Sequence, residues 1–153
     1  QDDRVVVMEN TNFRYSKLED FTKGQPDLAT IDVSFISLQL ILPTLHKIIQ
    51  NNGDVIALIK PQFEAGKEKV GKHGIVRDPK VHLEVLNKII SFAAEENYDV
   101  IELDFSPITG GEGNIEFLVH LVSKESVGNI SPSVNPELIV KQAHATLDIK
   151  KKA

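Results

Sequence analysis

The sequence predicts an α/β protein whose mostly parallel sheet ends in an antiparallel hairpin. Short apolar runs rich in β-branched residues alternate with segments of helical period, which is typical of parallel sheets covered by helices. The run at residues 54–59 is apolar almost throughout, as in strands that are covered on both faces. Near the end of the chain, two strand-like runs are separated by a short glycine-rich turn, and strands joined by so short a connection pair antiparallel.

The order of the elements follows from these runs and from the residues that bound them. Ser37 is a candidate N-cap for the first long helix, Gly53 is its stop, and Pro43 is expected to kink the helix or delay its start. Asp78 and Pro79 suit the N-cap and the first position of the next helix. The predicted strands are residues 4–8, 26–32, 54–59, 98–106 and 115–122, and the predicted helices are residues 17–21, 37–51, 79–97 and 136–149.

Composition limits the classes of function. The chain has 153 residues, enough for one domain of ordinary size, and its net charge of −5 lacks the basic excess of most nucleic-acid-binding proteins. RNA binding is therefore expected to be local, or supplied by a part of the protein outside this sequence. The chain has no cysteine, and no apolar run approaches the roughly 20 residues of a membrane span, so we expect a cytoplasmic protein.

Two charged residues end successive predicted strands. Asp32 closes the run at residues 26–32 and Lys60 follows the run at residues 54–59, and the carboxyl ends of parallel strands are where open α/β sheets place their active sites. An Asp–Lys pair at this edge could hold a lysine that orients a hydroxyl and accepts its proton. The plainer alternatives are a turn cap for Asp32 and a lysine that extends to water for Lys60.

Glu116 is a third candidate, in the last predicted strand. Alternation points its side chain away from those of Ile115 and Phe117, so that it faces either the site or solvent, and both alternatives stay open. The glycine-rich stretch at residues 110–114 and the polar residues 9–12 are expected at the same edge of the sheet.

The segment at residues 60–78 is interpreted as a long loop rich in glycine and lysine. Loops of this length are usually functional or mobile. Lys67, Lys69, Lys72 and Arg77 could meet RNA phosphates there, although a solvated charged loop explains the same composition equally well.

Neither a phosphate loop nor a metal site is indicated. Residues 71–74 lack the spacing of a nucleotide-binding phosphate loop. The histidines show no metal-ligand spacing, and we interpret each as a surface or helix-face residue. They are His46, His73, His82, His120 and His144.

Four stretches resemble the signature stretches of a known family. They are Asp32-Val-Ser-Phe-Ile-Ser-Leu, Leu58-Ile-Lys-Pro-Gln-Phe-Glu-Ala-Gly, Gly74-Ile-Val-Arg-Asp and Ser106-Pro-Ile-Thr-Gly-Gly-Glu-Gly-Asn-Ile-Glu. The family is the TlyA (hemolysin A) type of FtsJ-like, S-adenosylmethionine-dependent rRNA 2′-O-methyltransferases. The resemblance implies a Rossmann-like methyltransferase sheet and 2′-O-methylation of cytidine in ribosomal RNA. It also implies S-adenosylmethionine as the cofactor and ribosomal RNA or ribosomal subunits as the partner, with neither a metal nor a membrane involved.

The resemblance also implies roles for individual residues. By motif position, Asp32, Lys60 and Glu116 would be the last three members of the family's Lys-Asp-Lys-Glu catalytic tetrad. Lys60 would orient the ribose hydroxyl and take its proton, Asp32 would position Lys60, and Glu116 would complete the polar cluster. The cofactor contacts that the resemblance implies are Glu9, Asn10, Asn12 and Asp32.

Parts of the family's pattern have no counterpart in this sequence. These parts are the first lysine of the tetrad, the glycine-rich cofactor loop and an N-terminal S4-type RNA-binding domain. We therefore expect a fragment that lacks the first strands of the full domain and is inactive alone. Residues 1–128 would form the partial methyltransferase domain, and residues 129–153 a linker and a C-terminal helix packed on it or extending from it. Either a longer chain or an oligomer could cover the exposed sheet edge.

The alternative function is non-enzymatic, as a binding module or a membrane-active, haemolysin-like protein. Lysis requires a membrane-active segment, and the best amphipathic stretch is residues 37–51. Packing on the sheet explains the apolar face of this stretch better than insertion into a membrane.

Overall fold

A five-stranded sheet organises the chain. The computed structural model describes residues 5–9, 25–110 and 113–147, with the backbone alone at residues 5–9 and at residue 72. The strands are β1 (Val5–Glu9), β2 (Leu28–Asp32), β3 (Asp54–Ile59), β4 (Tyr98–Phe105) and β5 (Phe117–Ser123). Their order across the sheet is β1-β2-β3-β5-β4; β1, β2 and β3 pair in parallel, while β5 pairs antiparallel with both β3 and β4. The predicted fold class is thus confirmed, with a single antiparallel strand next to one edge.

The helices are α1 (Leu38–His46), α2 (Pro61–Glu64), α3 (Pro79–Glu95) and α4 (Pro136–Leu147). The predicted caps are confirmed, since the Ser37 side chain accepts a hydrogen bond from the Gln39 N–H and the Asp78 side chain accepts one from the Lys80 N–H. Helix α1 is shorter than predicted because it ends at His46, and it carries Pro43 in its interior. The predicted helix at residues 17–21 lies outside the described residues.

One face of the sheet and three helices form the hydrophobic core. Strands β2, β3 and β4 succeed one another in the same direction across the sheet, so right-handed crossovers place α1 and α3 on the same face. The apolar face of α1 is buried in this core, as its sequence pattern predicted, and α4 adds two more buried residues. Each fully buried aliphatic side chain contributes roughly 2 kcal/mol to the free energy of folding. The helix residues buried in the core include Leu38, Ile41, Leu42, Leu45, Val85, Leu86, Ile89, Ile90, Val140 and Ala143.

The expectation that β3 is covered on both faces is wrong for the described residues. Val55, Ala57 and Ile59 are buried under the helices, whereas the alternate residues of β3 remain half-exposed on the opposite face. The same alternation runs along β5. Because the described helices occupy one face only, an apolar strand in this sheet can still have a partly open side.

The segment at residues 60–78 is more regular than the loop that we predicted. It begins with the helical turn of α2, where Pro61 occupies the first turn, and continues through two short 3-10 turns, Lys67–Lys69 and Lys72–Gly74. Proline favours a helical start because its φ angle is preset and its missing N–H is not needed there. A composition rich in glycine and lysine does not reveal such short turns.

Candidate functional site

The carboxyl ends of β2 and β3 bring Asp32 and Lys60 together. These strands are parallel neighbours, and the register pairs Ile31 with Ala57, so both strands end at the same edge of the sheet. Lys60 Nζ lies 2.5 Å from Asp32 Oδ1, and a longer contact of 3.4 Å joins it to Ser34 Oγ. The Lys60 side chain is 13% exposed and that of Asp32 is 51% exposed. The ion pair is therefore sheltered on the lysine side and open on the carboxylate side.

This geometry decides between the alternatives that the sequence left open. A lysine that extended to water would have an exposed side chain, but Lys60 is largely covered and its ammonium points at a carboxylate. A carboxylate that capped the following turn would accept a backbone N–H, whereas the Asp32 carboxylate pairs with Lys60. The ion pair therefore lies at the carboxyl ends of the strands, which is where open α/β proteins bind their substrates.

Glu116 is buried at the same edge, next to the first residue of β5. The register pairs Phe117 with Ile59, which places Glu116 alongside the end of β3. The side chain of Glu116 is 7% exposed, so the solvent-facing alternative is wrong. Its Oε2 accepts a hydrogen bond of 3.0 Å from Gln62 Nε2, and a Cβ atom at Gly110 would collide with its carboxylate. Among the described residues, Glu116 therefore joins the cluster through its hydrogen bond with Gln62.

Gln62 was not singled out from the sequence. It follows Lys60 by two residues, in α2, and its side-chain oxygen Oε1 is buried without a hydrogen-bond partner. Its amide nitrogen holds the Glu116 carboxylate, which accepts hydrogen bonds when it is ionised. The clue in the sequence was only its position next to a candidate catalytic lysine.

Phe35 is a second residue that the sequence analysis missed. Its φ angle is +65°, in the left-handed region that non-glycine residues rarely adopt, and its side chain is 88% exposed. Its ring lies 4.8 Å from the ring of Phe63, so an aromatic surface stands at the same edge as Asp32 and Lys60. Strained backbone at an exposed aromatic residue is a feature that functional sites often show.

Glu64 connects the two strand ends through the helices that follow them. Its Oε1 accepts a hydrogen bond of 2.6 Å from Ser37 Oγ, and its Oε2 accepts one of 2.9 Å from the Leu38 N–H. Burial raises the pKa of the Glu64 carboxyl, while the hydrogen bonds from Ser37 and Leu38 and the nearby Lys88 ammonium oppose this shift.

Asn114 fastens the segment after α2 to the turn before β5. It is 2% exposed, its Oδ1 accepts from the Val76 N–H at 2.9 Å, and its Nδ2 donates to the Gly74 carbonyl at 2.9 Å. The glycine-rich turn, which the sequence places near the site, therefore also fixes the course of residues 74–76.

The four candidate RNA contacts differ in their surroundings. Lys67 is exposed, and Lys69 is exposed but paired with Glu84, with Nζ to Oε1 at 2.7 Å. Arg77 is half-buried and its Nε has no hydrogen-bond partner. The side chain of Lys72 lies outside the described atoms. Only part of the predicted basic set is thus free to meet a phosphate.

Most of the candidate cofactor contacts lie outside the described part of the chain. Asn10 and Asn12 are not among the described residues, and Glu9 is described by its backbone. The register pairs Glu9 with Asp32, so two acidic residues end adjacent parallel strands at this edge. Carboxylates accept hydrogen bonds from hydroxyl and amine groups. Acidic acceptors at this edge therefore fit a cofactor whose ribose hydroxyls and adenine amine are hydrogen-bond donors.

Four of the five histidines have structural partners among the described residues, whereas His73 is exposed. His46 Nε2 bonds to the Lys124 carbonyl at 2.6 Å, and His120 Nε2 lies 2.8 Å from Asp54 Oδ1. His82 lies on a helix face, which is one of the two predicted alternatives, but it is fully buried and bonds to both His144 and the Val76 carbonyl. Within the part of the chain that the structure describes, no three potential metal ligands gather at one point, and no helix is both long and apolar enough to cross a bilayer.

Known proteins with similar sequences point to one family. YqxC of Bacillus subtilis, named as a candidate rRNA methyltransferase, is 59% identical over 99% of this chain and 54% of its own length. The 16S/23S rRNA (cytidine-2′-O)-methyltransferase TlyA of Mycobacterium tuberculosis is 38% identical over 78% of this chain and 44% of its own length. The chain thus spans about half the length of these relatives.

Comparison with solved structures and with family profiles agrees with these relatives. The structure of a candidate hemolysin from Streptococcus thermophilus superimposes with a TM-score of 0.87 and 50% identity, covering 100% of this chain and 55% of that one. The profile of the FtsJ-like methyltransferase family matches residues 1–123. The resemblance drawn from the four sequence stretches is confirmed, and the chain belongs to the FtsJ-like methyltransferase family.

Proposed function

We propose that this chain is the C-terminal part of an S-adenosylmethionine-dependent enzyme that methylates the 2′-hydroxyl of cytidine in ribosomal RNA. The observation that carries the proposal is the Asp32–Lys60 ion pair at the carboxyl ends of two adjacent parallel strands. Family membership supports methyl transfer, and the cytidine 2′-O specificity is taken from the name of a relative. Such an enzyme would act in the cytoplasm, where its ribosomal substrate is found.

The chemical step that we propose is an in-line attack by the ribose oxygen. Lys60 would first give its resting ammonium proton to solvent, and as the oxygen gains the methyl group the hydroxyl proton would pass to Nζ and restore the ammonium group. Asp32 stabilises that ammonium and fixes its direction, since its carboxylate already contacts Nζ. The main contribution of these residues is alignment of the hydroxyl, which can supply several kcal/mol of the rate enhancement.

Glu116 and Gln62 would keep the edge polar and ordered beside this lysine. Their hydrogen bond fixes a buried carboxylate one strand away from the Asp32–Lys60 pair. Asp32, Glu9, Asn10 and Asn12 would hold S-adenosylmethionine, which supplies the electrophilic methyl group when bound.

Phe35 supports an RNA substrate in particular. Proteins that act on single nucleotides of RNA commonly stack an unpaired base on an aromatic ring. The exposed ring of Phe35 stands at the same edge as the proposed base, so it could hold the target base while the ribose meets Lys60. Lys67 and Arg77 would then contact neighbouring phosphates.

The proposal is tested by replacing Lys60 in the full-length protein. We expect Lys60→Ala to abolish methyl transfer to ribosomal RNA and to leave S-adenosylmethionine binding nearly intact. Lys60→Arg should also be inactive, because arginine keeps the charge that pairs with Asp32 but does not give up its proton. Methyl transfer is measured with a radiolabelled methyl donor, and cofactor binding by calorimetry.

The matched control is Lys47→Ala, which removes an exposed lysine that follows α1 and lies outside the site. This variant should methylate at the rate of the unmodified protein. Normal turnover by Lys60→Ala would reject the assignment of Lys60 as the proton acceptor.

The lytic alternative gains no support from the fold. The apolar residues of the amphipathic segment are buried beneath the sheet, so they are not available to enter a membrane in the folded protein. If the unmodified full-length protein transfers no methyl group, the non-enzymatic binding module becomes the better proposal.

A further inference from the structure

Glu64 joins the two loops that carry the proposed catalytic pair. The loop after β2 runs from Asp32 to Ser37 and then enters α1 at Leu38, whereas the loop after β3 runs from Lys60 through the single turn of α2 to Glu64. The Glu64 carboxylate accepts from Ser37 Oγ at 2.6 Å and from the Leu38 N–H at 2.9 Å. One side chain thus bridges the segments that follow both strands.

These contacts are sheltered, and the backbone of Glu64 is also held by α3. Glu64 is 7% exposed, and its backbone carbonyl accepts a hydrogen bond of 2.6 Å from Lys88 Nζ in α3. Hydrogen bonds to a buried carboxylate are stronger than those between neutral groups. The bridge between the two loops is therefore stiff, and it is anchored to the neighbouring helix.

Capping alone does not account for this arrangement. Helix α1 already has its own N-cap, because Ser37 Oγ accepts from the Gln39 N–H at 3.0 Å. Glu64 adds a second acceptor from a distant part of the chain, 26 residues from Leu38. The bridge fixes the distance between the two loops, and the contact between Phe35 and Phe63 joins the same pair of loops.

We propose that Glu64 is a positioning residue that holds Asp32 and Lys60 in register by tying the loop after β2 to the loop after β3. The inference rests on the proposed function of the pair. Small displacements of reacting groups strongly reduce rates, since a shift of about 1 Å can cost roughly a hundredfold. A loosened bridge would therefore lower the rate of the chemical step more than it weakens substrate binding.

The test compares Glu64→Ala with Glu64→Gln in the full-length protein. Glu64→Ala should lower kcat by roughly tenfold to a hundredfold while the KM values for RNA and cofactor change less than about twofold. Glu64→Gln should recover most of the rate, because its amide oxygen still accepts a hydrogen bond. Ser37→Ala, which removes one of the two donors, should show a smaller fall in kcat and replaces Glu64→Ala if that variant does not fold.

The matched control is Asn135→Ala, which removes a side-chain acceptor at the start of α4, away from the two loops. Asn135 Oδ1 accepts a hydrogen bond of 3.1 Å from the Leu138 N–H. It should leave kcat unchanged when rates are compared below the melting temperature of each variant. An unchanged kcat in Glu64→Ala, or an equal fall in Asn135→Ala, would overturn the inference.

A structural measurement separates this inference from the proposed function. In crystals of the Glu64→Ala variant, the separation of Lys60 Nζ and Asp32 Oδ1 should exceed the roughly 4 Å limit of an ion pair. An unchanged separation overturns the positioning role even if the enzyme is active. If the unmodified protein transfers no methyl group but the Lys60–Asp32 separation still increases in the variant, the proposed function is rejected and the positioning role of Glu64 is kept.

Discussion

Phe35 combines two properties that conflict unless the residue has a task beyond folding. A left-handed backbone costs an L-residue about 1–2 kcal/mol, and a large apolar ring that is 88% exposed recovers little of that cost by burial. Its contact with Phe63 contributes about 0.5–1.5 kcal/mol, which roughly cancels the strain. Stability therefore gives no reason for phenylalanine at this position, whereas the proposed stacking on an RNA base would.

This balance predicts an unusual result for Phe35→Gly. Glycine relieves the strain and loses the ring contact, so the free energy of unfolding should change by less than about 1 kcal/mol. Base–aromatic stacking is worth about 1–3 kcal/mol, so kcat/KM for RNA should fall roughly tenfold or more. Urea denaturation and methyl-transfer kinetics measure the two effects.

Val127→Ala is the control, because it trims another exposed apolar side chain away from the site. It should change neither quantity. A Phe35→Gly protein that keeps its kcat/KM would argue against a stacking role for this ring.

The charged members of the site could be predicted from sequence, but their partners could not. Asp32 and Lys60 end apolar runs, and parallel strands bring their carboxyl ends to one edge. Gln62 and Glu64 lie in a segment that looked irregular, so no periodicity indicated which way their side chains point. Their contacts are made across many residues of sequence, and such contacts depend on the tertiary packing of α1 and α2.

At the scale of elements, α3 and α4 meet through two histidines. His82 Nε2 contacts the Val76 carbonyl, so this nitrogen must carry a proton, and Nδ1 of the neutral ring accepts from His144 Nε2 at 2.8 Å. Burial lowers the pKa of His82 to about 4, and the nearby His144 adds to this effect, while the Val76 carbonyl and Asp78 oppose it. The contact between the two helices therefore depends on a neutral His82.

Stability should consequently fall as the pH decreases from about 6.5 to about 4. In this range the unfolded chain binds a proton at residue 82 and the folded chain does not, so protonation favours unfolding. A difference between a pKa of 6.5 and one of about 4 corresponds to about 3 kcal/mol. Urea denaturation at a series of pH values should show that His82→Gln loses less stability over this range than the unmodified chain.

His73→Asn is the control for this experiment. His73 is exposed and has a positive φ angle, which asparagine tolerates, and its removal leaves the buried histidine in place. The pH dependence of the unmodified chain should persist in His73→Asn. If His82→Gln and the unmodified chain lose stability in parallel, the buried ring does not titrate as proposed.

The elements themselves were largely predictable, and their ends were less so. The span of β3 was predicted as Asp54–Ile59, which the structure confirms, because an aspartate and a lysine bound its apolar run. Helix α1 ends earlier than its apolar period suggests, since residues 48 and 49 continue the pattern as buried turn residues beyond the helix. Hydrophobic periodicity reports which residues are buried, and it does not distinguish a last helical turn from the turn that follows it.

For the whole molecule, the notable feature is the asymmetry of the sheet. The described helices cover one face, and the half-exposed residues of β3 and β5 line the other. An apolar strand composition suggested cover on both sides, but the direction in which β2, β3 and β4 succeed one another places their connecting helices on a single side. The division of the chain at residues 128 and 129 stays a prediction, although α4 contributes Val140 and Ala143 to the common core.

The part of the methyltransferase domain that this chain contains leads to a prediction about cofactor binding. The residues at the site edge supply acidic acceptors, whereas the family's glycine-rich cofactor loop has no counterpart in this sequence. We therefore expect a calorimetric titration with S-adenosylmethionine to give binding to the full-length protein and none to the 153-residue chain. Equal binding to both would show that the candidate contacts within this chain are sufficient for cofactor binding, and it would remove the expectation of an upstream loop. Binding to neither would remove the main support for methyl transfer, and the non-enzymatic binding module would become the better proposal.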